Sequence, residues 1–347
     1  MASHGPFSQG PDRTVMKIER VEYRDWPEAY RCTVGPVELV VVTAIGPRIL
    51  SLRLAGGTNL LFEDGTGFGV GAWRLYGGHR FATAPESAAS YAPDNQACDT
   101  QVSNGRLLIT QPPDPNGLQK TLTVGPGAGT RGFEMVHGLA NRSDRAWHGA
   151  PWACTCVKPE GQVIIPRPSV ANPGQPGFER QVPLAVNAAE IGTPVGNVRL
   201  VTDSEGARYW ALADDDYAGP ASPQWGWTAD HYVIQPPLAR GKMGLFSPEG
   251  CLAFVQPELT FLIRAVEVEP HRAYPHGGCN VEVYTHPRYL EMETLGPLTT
   301  LAPGQQLIHR QRWQLLRAVP TASAHGVRLP AASRDPRRAA PREPAHE

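Results

Sequence analysis

Polar and apolar residues alternate along most of this chain, which is the pattern of β-strands that bury one face. In the segment 289–295, Leu290 and Met292 fall on one side of the predicted strand, and Glu291 and Glu293 fall on the other. No long window free of glycine and proline shows the apolar period of a helix. The pattern therefore predicts an all-β protein. Further strands are predicted at 37–43, 49–54, 60–62, 106–111, 119–124, 133–140, 147–157, 162–165, 231–235, 251–256, 260–267, 280–285 and 306–316.

Glycine and proline are unusually frequent, with 36 and 35 residues among the 347. Both residues interrupt helices and mark turns, so their number agrees with many short strands. So many strands are expected to form two large antiparallel sheets packed face to face. No fixed-period repeat typical of a propeller is evident in the sequence. The predicted fold is a large antiparallel β-sandwich.

Composition divides the chain into three parts. Residues 1–15 are polar and are predicted to be disordered. Strand patterns run from 16 to 317 and predict a single domain, in which the Pro-, Gly- and Gln-rich stretch 167–188 is a long loop. Residues 318–347 are rich in Pro, Ala and Arg and lack the apolar surface needed to fold alone, so they are predicted to form a disordered tail.

Charge and targeting signals limit the class of partner. The formal net charge is −1, so no overall field favours nucleic acid or an anionic membrane. No apolar run reaches the roughly 18 residues that span a bilayer, and the N-terminus lacks the basic-then-apolar order of a secretory signal. The sequence favours a cytoplasmic protein with a small-molecule partner and predicts neither nucleic-acid nor membrane binding. It leaves the oligomeric state open.

Motifs for metals and for common catalytic machinery are absent from the sequence. No HExxH, DxDxDG or GxSxG occurs, so no metal, cofactor or serine nucleophile is predicted. None of the six cysteines forms a CxxC pair. Reduced, mostly buried thiols are therefore expected.

The first cluster with chemical potential lies around a glycine pair, in the segment 73–86. It contains Trp73, Tyr76, His79, Arg80 and Glu86. Aromatic faces stack on the C–H faces of sugar rings, and Arg and carboxylate groups bond sugar hydroxyls. The alternative is that Arg80 and Glu86 form a structural ion pair.

Two strands that flank the polar turn 141–144 form a second cluster. They are expected to pair as a hairpin that places His137 and Trp152 on one sheet face. A lone histidine in a strand is more often structural than catalytic, and that reading stays open for His137.

A third cluster joins the strand 280–285 to the strand 289–295 through the short turn 286–288. Asn280 and Glu282 share one face, and the hairpin would bring Glu282 close to Glu291 or Glu293. Like charges that face each other are destabilising unless a cation, an arginine or a hydroxyl-rich ligand shares the site. Crowding raises a carboxyl pKa towards the range of acid–base catalysis. A solvated surface is the competing interpretation.

Several segments together resemble an uncharacterised bacterial family of the galactose mutarotase-like superfold, the large β-sandwich of the aldose 1-epimerases. The resemblance covers roughly residues 17–316 and is thin between 167 and 240. The segments are 46–52 (GPRILSL), 59–63 (NLLFE), 76–80 (YGGHR), 84–86 (APE), 150–152 (APW), 278–285 (GCNVEVYT), 290–298 (LEMETLGPL) and 301–304 (LAPG).

The resemblance implies an activity and the residues for it. In aldose 1-epimerases a late-strand glutamate is the general base, which corresponds to Glu291 or Glu293. A histidine is the general acid, but this chain has Pro151 and Trp152 where that histidine is expected, so either His79 or His137 substitutes or the chemistry differs.

Other positions also depart from the pattern of that family. This chain has His276 where Tyr-Pro-Asp-Gly is common, and Gln305 and Gln311 where acids are frequent near the end. These departures weaken the transfer of activity.

The leading hypothesis is a carbohydrate-binding protein that interconverts the anomers of an aldose. Glu291 or Glu293 would act as base and His79 as acid, while Arg80, Glu86, Trp73, Tyr76, His137, Trp152, Asn280 and Glu282 would hold the sugar. One alternative is a non-catalytic saccharide-binding or sensing protein. Another is a lyase or epimerase that acts on an acidic or keto sugar.

Overall fold

The computed structural model describes residues 15–65, 73–127, 131–167, 198–202, 208–212, 222–228 and 230–317. Within these residues the chain forms twenty-two β-strands and one 3-10 helix, Ala88–Tyr91. The first eleven strands are β1 (Lys17–Tyr23), β2 (Trp26–Val34), β3 (Val37–Val42), β4 (Arg48–Leu54), β5 (His79–Ala84), β6 (Asp99–Ser103), β7 (Arg106–Thr110), β8 (Leu118–Pro126), β9 (Gly132–Asn141), β10 (Trp147–Val157) and β11 (Gln162–Pro166). The others are β12 (Val198–Thr202), β13 (Arg208–Leu212), β14 (Trp225–Trp227), β15 (His231–Ile234), β16 (Gly241–Leu245), β17 (Cys251–Val255), β18 (Leu259–Ala265), β19 (Val281–His286), β20 (Tyr289–Leu295), β21 (Thr299–Leu301) and β22 (Gln306–Arg317).

The described strands form two sheets, and neighbouring strands run antiparallel. The twelve-stranded sheet has the order β1-β2-β3-β4-β5-β10-β20-β19-β16-β13-β12, with β21 also paired to β10. The ten-stranded sheet has the order β14-β15-β11-β17-β18-β22-β9-β8-β7-β6. The all-β sandwich predicted from the sequence is confirmed.

Apolar side chains from both sheets meet in one core. Leu290 and Met292 of β20 are fully buried there, together with Phe261 of β18 and Trp313 of β22. Because successive residues of a strand point to opposite faces, Glu291 lies on the face of the twelve-stranded sheet that points away from this core. The predicted division of β20 into an apolar and an acidic face is confirmed.

A chain of three histidines crosses the interior between the sheets. His79 Nδ1 lies 2.8 Å from Thr155 Oγ1, and His79 Nε2 lies 2.8 Å from His137 Nε2. His137 Nδ1 contacts the carbonyl oxygen of His309 at 3.1 Å, and His309 Nε2 contacts Thr294 Oγ1 at 2.8 Å. Burial lowers the pKa of His79, lowers that of His137 to about 4 and lowers that of His309 to about 3.

The expected hairpin around residues 141–144 is wrong. The strand β9 pairs with β8 and β22 in the ten-stranded sheet, whereas β10 pairs with β5 and β20 in the other sheet. The turn therefore carries the chain from one sheet to the other, and His137 does not share a face with Trp152. Alternation within each strand is the same in both arrangements, so the sequence pattern does not distinguish them.

Several other expectations bear on the fold. All six cysteines are free, and five of them are buried, as predicted. None of the described segments contains a helix that is long and apolar enough to cross a membrane. Residues 1–14, 168–188 and 318–347, for which disorder or a long loop is predicted, lie outside the described residues.

The buried histidines predict a loss of stability in acid. Their folded pKa values lie below the value of about 6.5 for an unfolded histidine, so the unfolded chain binds more protons below that pH. The free energy of unfolding should therefore fall as the pH drops from about 6.5 towards 4, by at most about 1.4 kcal/mol per pH unit for each histidine. Urea unfolding at several pH values measures this slope.

The variant H137F removes one of these groups and should flatten the slope. The variant H271Q changes an exposed histidine and should keep the slope of the unmodified chain. Identical slopes for H137F and the unmodified chain would contradict the account.

Candidate functional site

Polar side chains gather on the outward face of the twelve-stranded sheet, where five adjacent strands lie side by side. The register places Cys154 of β10 between Arg80 of β5 and Glu293 of β20, and it places Glu282 of β19 directly opposite Glu293. The predicted proximity of Glu282 and Glu293 is confirmed. We call the side of the sheet that carries Arg80, Cys154, Glu293 and Glu282, together with Lys242 and Glu291, the outward face.

Lys242 of β16 lies between the two facing carboxylates. Its Nζ atom lies 3.0 Å from Glu282 Oε2 and 3.0 Å from Glu293 Oε2. Trp152 Nε1 donates a 2.7 Å hydrogen bond to Glu293 Oε2, and the Lys242 ammonium lies 4.8 Å from the centre of the Trp152 ring. The side chain of Lys242 is 13% exposed, while those of Glu282 and Glu293 are 2% and 0% exposed. Lys242 is thus the cation that allows two buried carboxylates to face each other.

One ammonium cannot neutralise two carboxylates, and the pKa values divide accordingly. Burial raises the pKa of Glu293 well above its usual range, although Lys242 opposes this. Burial would also raise the pKa of Glu282. The neighbouring His276 and Lys242 outweigh this effect and hold the pKa of Glu282 far below its usual range. Burial would lower the pKa of Lys242, yet the two carboxylates raise it. Lys242 and Glu282 are therefore an ion pair at neutral pH, and Glu293 tends to hold a proton.

His276 connects this cluster to the segment that follows β5. Its Nδ1 lies 2.7 Å from Glu282 Oε1, and its Nε2 accepts a 2.9 Å hydrogen bond from the backbone N–H of Glu86. The Trp152 ring meets the His276 ring edge to face, with centroids 5.6 Å apart. Both ring nitrogens of His276 are therefore engaged, so its imidazole is not available to a ligand.

Glu291 is the most accessible of the three strand carboxylates. It is half-buried, it lies opposite Cys156 and Tyr284 in the register, and the Cys156 thiol donates to its Oε1 at 3.3 Å. Burial raises the pKa of Glu291, and the positive charges of Lys242 and Arg80 oppose this rise. A carboxyl group with a raised pKa at an accessible position suits proton transfer near neutral pH.

Aromatic side chains flank the carboxylates on the side of β5. The Arg80 guanidinium lies 4.9 Å from the centre of the Trp73 ring, and Tyr91 meets Trp73 edge to face at 5.1 Å. The Tyr91 hydroxyl donates to the Glu86 carboxylate. Arg80 Nε and Trp73 Nε1 are buried and have no hydrogen-bond partner. Aromatic faces beside unmet donors and a carboxylate are a suitable lining for a ligand with many hydroxyl groups.

The structure brings most of the predicted site residues together. Glu293, Glu291, Glu282 and Trp152 lie on the outward face, with Arg80, Trp73 and Glu86 beside them. The alternative ion pair of Arg80 with Glu86 is not formed. In the described part of the chain, Arg80 has no carboxylate within ion-pair distance.

The acid role expected for His79 does not fit its placement. His79 is 1% exposed and lies on the interior face of β5, where both of its ring nitrogens are bonded and its pKa is lowered by burial. His137 is fully buried on the other sheet. The two histidines are thus separated from Glu291 by the twelve-stranded sheet itself, and neither reaches a ligand on the outward face.

Two other predicted ligand-binding residues have structural partners instead. The Tyr76 hydroxyl donates to Asn95 Oδ1 at 2.7 Å, and the Tyr76 ring packs beside Trp26. The Asn280 side chain accepts from the Ser247 backbone N–H at 2.6 Å and donates to the Ser247 carbonyl oxygen at 2.8 Å. Each is buried, so sugar binding by either is not supported.

Sequence reasoning missed Lys242 and Tyr91. Lys242 stands in the short segment Gly241–Leu245, where it alternates with the buried Met243 and Leu245. That alternation predicts a polar position on a strand, but it does not say which strand is the neighbour. Tyr91 belongs to a 3-10 helix that carries no periodic signal.

No group of three or more His, Cys, Asp or Glu side chains in the described ranges is placed to hold a metal ion. The Lys242 ammonium occupies the position between Glu282 and Glu293 where a cation is needed.

Comparison with known proteins shows similarity in fold. No model of a known protein family matches the sequence, and no curated protein matches it. The chain is similar to a TPR-domain-containing protein from Parabacteroides distasonis ATCC 8503, with a TM-score of 0.53, 14% identity and 88% of this chain covered. The match spans about half of that protein, 49% of its length.

The similar solved structures are mostly galactose mutarotase-like or aldose 1-epimerase-like proteins. A galactose mutarotase-like protein from Lactobacillus casei ATCC 334 has a TM-score of 0.48 and 9% identity, with 86% of this chain and all of that chain covered. Another from Clostridium acetobutylicum has a TM-score of 0.45 and 9% identity, with 88% of this chain and 99% of that chain covered. At these identities the similarity is one of fold alone.

The Lys242 cluster predicts a large cost for removing its cation. The variant K242M leaves Glu282 and Glu293 buried and facing each other, so it should lower the free energy of unfolding by about 3–5 kcal/mol. The double variant K242M/E293Q removes the repulsion and should recover part of that loss. Urea unfolding near pH 8 measures both.

The matched control is K17M, which breaks the exposed ion pair of Lys17 with Glu19. This change should cost no more than about 1 kcal/mol. The interpretation of Lys242 as a buried counter-charge is contradicted if K242M and K17M unfold at the same urea concentration.

Proposed function

We propose that this protein binds an aldose on the outward face and interconverts its anomers. The observation that carries the proposal is Glu291, a half-buried carboxyl group with a raised pKa, which shares a sheet face with the buried Lys242 ammonium and with flanking aromatic side chains. Anomer interconversion needs one base and one acid on the same ring. These two residues are the available pair on that face.

Glu291 takes the role of base because of its accessibility. Glu293 is fully buried, and its oxygens are engaged by Lys242 and Trp152. Glu293 therefore acts as an anchor for the ammonium, which leaves Glu291 to meet the anomeric hydroxyl.

Lys242 takes the role of acid that the sequence assigned to His79. The ionised Glu291 removes the proton from the anomeric hydroxyl while the Lys242 ammonium gives a proton to the ring oxygen. The bond between the anomeric carbon and the ring oxygen breaks, and an open-chain aldehyde forms. Rotation of the aldehyde and reversal of both proton transfers close the ring as the other anomer. Because the two carboxylates hold the Lys242 proton tightly, we expect slow turnover.

The aromatic side chains would orient the sugar. Trp152 is buried, and its bond to Glu293 fixes its ring against the ammonium, so it holds Lys242 in place. Trp73 and the exposed Tyr91 would stack on the sugar ring. Arg80 Nε, which lacks a partner, would donate to a hydroxyl or ring oxygen.

A non-catalytic saccharide-binding protein is the second candidate. It is favoured by the tight engagement of Lys242 with Glu282 and Glu293, which leaves its ammonium poorly suited to give up a proton. An enzyme acting on an acidic sugar is the third, and the buried Arg80 without an ionic partner favours it. Binding without accelerated anomer exchange would select the second candidate.

The proposal predicts different effects for two similar substitutions. The variant E291Q removes the base and should lower kcat for anomer exchange by about 100-fold or more, with KM nearly unchanged. The variant E293Q leaves the base in place but weakens the anchor of Lys242, so it should lower stability and should lower kcat less than E291Q does. Anomer exchange of a panel of aldoses, followed by NMR, measures both. Loss of turnover in E293Q but full activity in E291Q would contradict the assignment.

The same assignment fixes the direction of the pH dependence. Glu291 must be ionised to act as base, and burial raises its pKa above the usual value. The rate should therefore rise with pH through that raised pKa and fall in acid. A rate that increases towards low pH would show that the protonated form is the active one.

A further inference from the structure

His276 lies between strand β19 and the segment that follows β5, at the position where the Tyr-Pro-Asp-Gly pattern has its aspartate. It is 4% exposed, and it lies in a turn with a positive φ of 50°. One ring nitrogen faces Glu282 of β19, and the other faces the backbone of the segment that follows β5. His276 therefore connects strand β19 to the segment that follows β5.

The two contacts determine which ring nitrogen carries the proton. A backbone N–H only donates, so the N–H of Glu86 requires an unprotonated Nε2 on His276. The proton of a neutral imidazole then resides on Nδ1, where it is donated to Glu282 Oε1 over 2.7 Å. A doubly protonated ring would direct its second N–H at the N–H of Glu86.

Glu282 contacts both His276 and Lys242, so the hydrogen bond from His276 can affect Lys242. With one carboxylate oxygen bonded to His276, Glu282 presents its other oxygen to the Lys242 ammonium at 3.0 Å. Rotation of this carboxylate would break both contacts at once. The ammonium donates its hydrogen bonds to Glu293, and its contact with Glu282 is ionic. This ionic contact with Glu282 is the one that His276 can influence, and a ligand does not touch His276.

We propose that His276 is a positioning residue: it stays neutral with its proton on Nδ1, and it holds Glu282 ionised and oriented so that Lys242 remains charged and directed at the ligand. The functional part of this statement rests on the proposed function, whereas the protonation state of the ring is tested without any ligand. Several titratable groups surround Glu282 and share its electrostatic environment. They are Lys242 on β16, Glu291 and Glu293 on β20, Cys279 before β19 and Glu86 after β5.

The first test measures the ring directly in the full chain. Two-dimensional ¹⁵N–¹H NMR separates protonated from unprotonated ring nitrogens, and the signals of His276 among the 11 histidines are those that disappear in H276N. We expect an unprotonated Nε2 and a protonated Nδ1 in the folded chain near pH 8. A doubly protonated ring, or a proton on Nε2, at that pH would overturn the proposal.

The second test separates the two contacts with two variants. The amide of Asn reaches the position of Nδ1, so H276N keeps the bond to Glu282 and loses the one to the Glu86 backbone. The longer amide of Gln reaches the position of Nε2, so H276Q keeps the second bond and loses the first. Asn also accepts the positive φ at this position more readily than most residues.

The variants should differ in turnover rather than in affinity. We expect H276Q to lower kcat for anomer exchange about 10-fold or more with KM changed less than about 3-fold, and H276N to stay within about 3-fold of the unmodified chain. Equal activity in both variants would overturn the positioning role, as would a loss of kcat in H276N alone. Urea unfolding of both variants identifies any loss that reflects stability only. Absence of anomer exchange in the unmodified chain would reject the proposed function, while the NMR result would still decide the protonation state.

Discussion

The outward face depends on the burial of one ammonium group between two carboxyl groups. Glu282 and Glu293 lie directly opposite each other on neighbouring strands, a pairing that is destabilising without a counter-charge. Lys242 supplies that charge from the next strand, and Trp152 and His276 complete the bonds of the two carboxylates. Because a buried carboxylate is costly unless it is paired and hydrogen-bonded, each of these five side chains lowers the cost of burying the others.

This unit also determines what remains for a ligand. Because Glu282 and Glu293 are buried and in ionic contact with Lys242, Glu291 is the strand carboxyl group left for acid–base chemistry, and it is half-buried with a raised pKa. The interior face of the same sheet is organised differently. There His79 belongs to a network of neutral histidines whose bonds are internal. Strand β5 thus contributes the polar side chain of His79 to the core, while its next residue, Arg80, faces the candidate site.

Much of this arrangement was predictable from the sequence, because strand alternation is a local property. The acidic face of the segment 289–295 and its hairpin with Glu282 followed from a period of two and a short turn. The position of Lys242 beside them did not follow, since the pairing of β16 with β19 joins segments that are distant along the chain. Strand pairing also explains why the predicted hairpin of His137 with Trp152 is wrong. The strand of His137, β9, belongs to the ten-stranded sheet, and local alternation does not show this. The resemblance to galactose mutarotase-like proteins holds for the fold, while the interior placement of His79 and His137 does not fit the acid role that it implied.

The most direct test of the account is a crystal structure of the protein soaked with an aldose that binds it in solution. We expect the sugar ring to stack on Trp73 or Tyr91, with its anomeric hydroxyl within hydrogen-bond distance of Glu291 and its ring oxygen facing Lys242. A sugar bound elsewhere on the molecule, or bound on the outward face with its anomeric carbon turned away from both residues, would contradict the central claim.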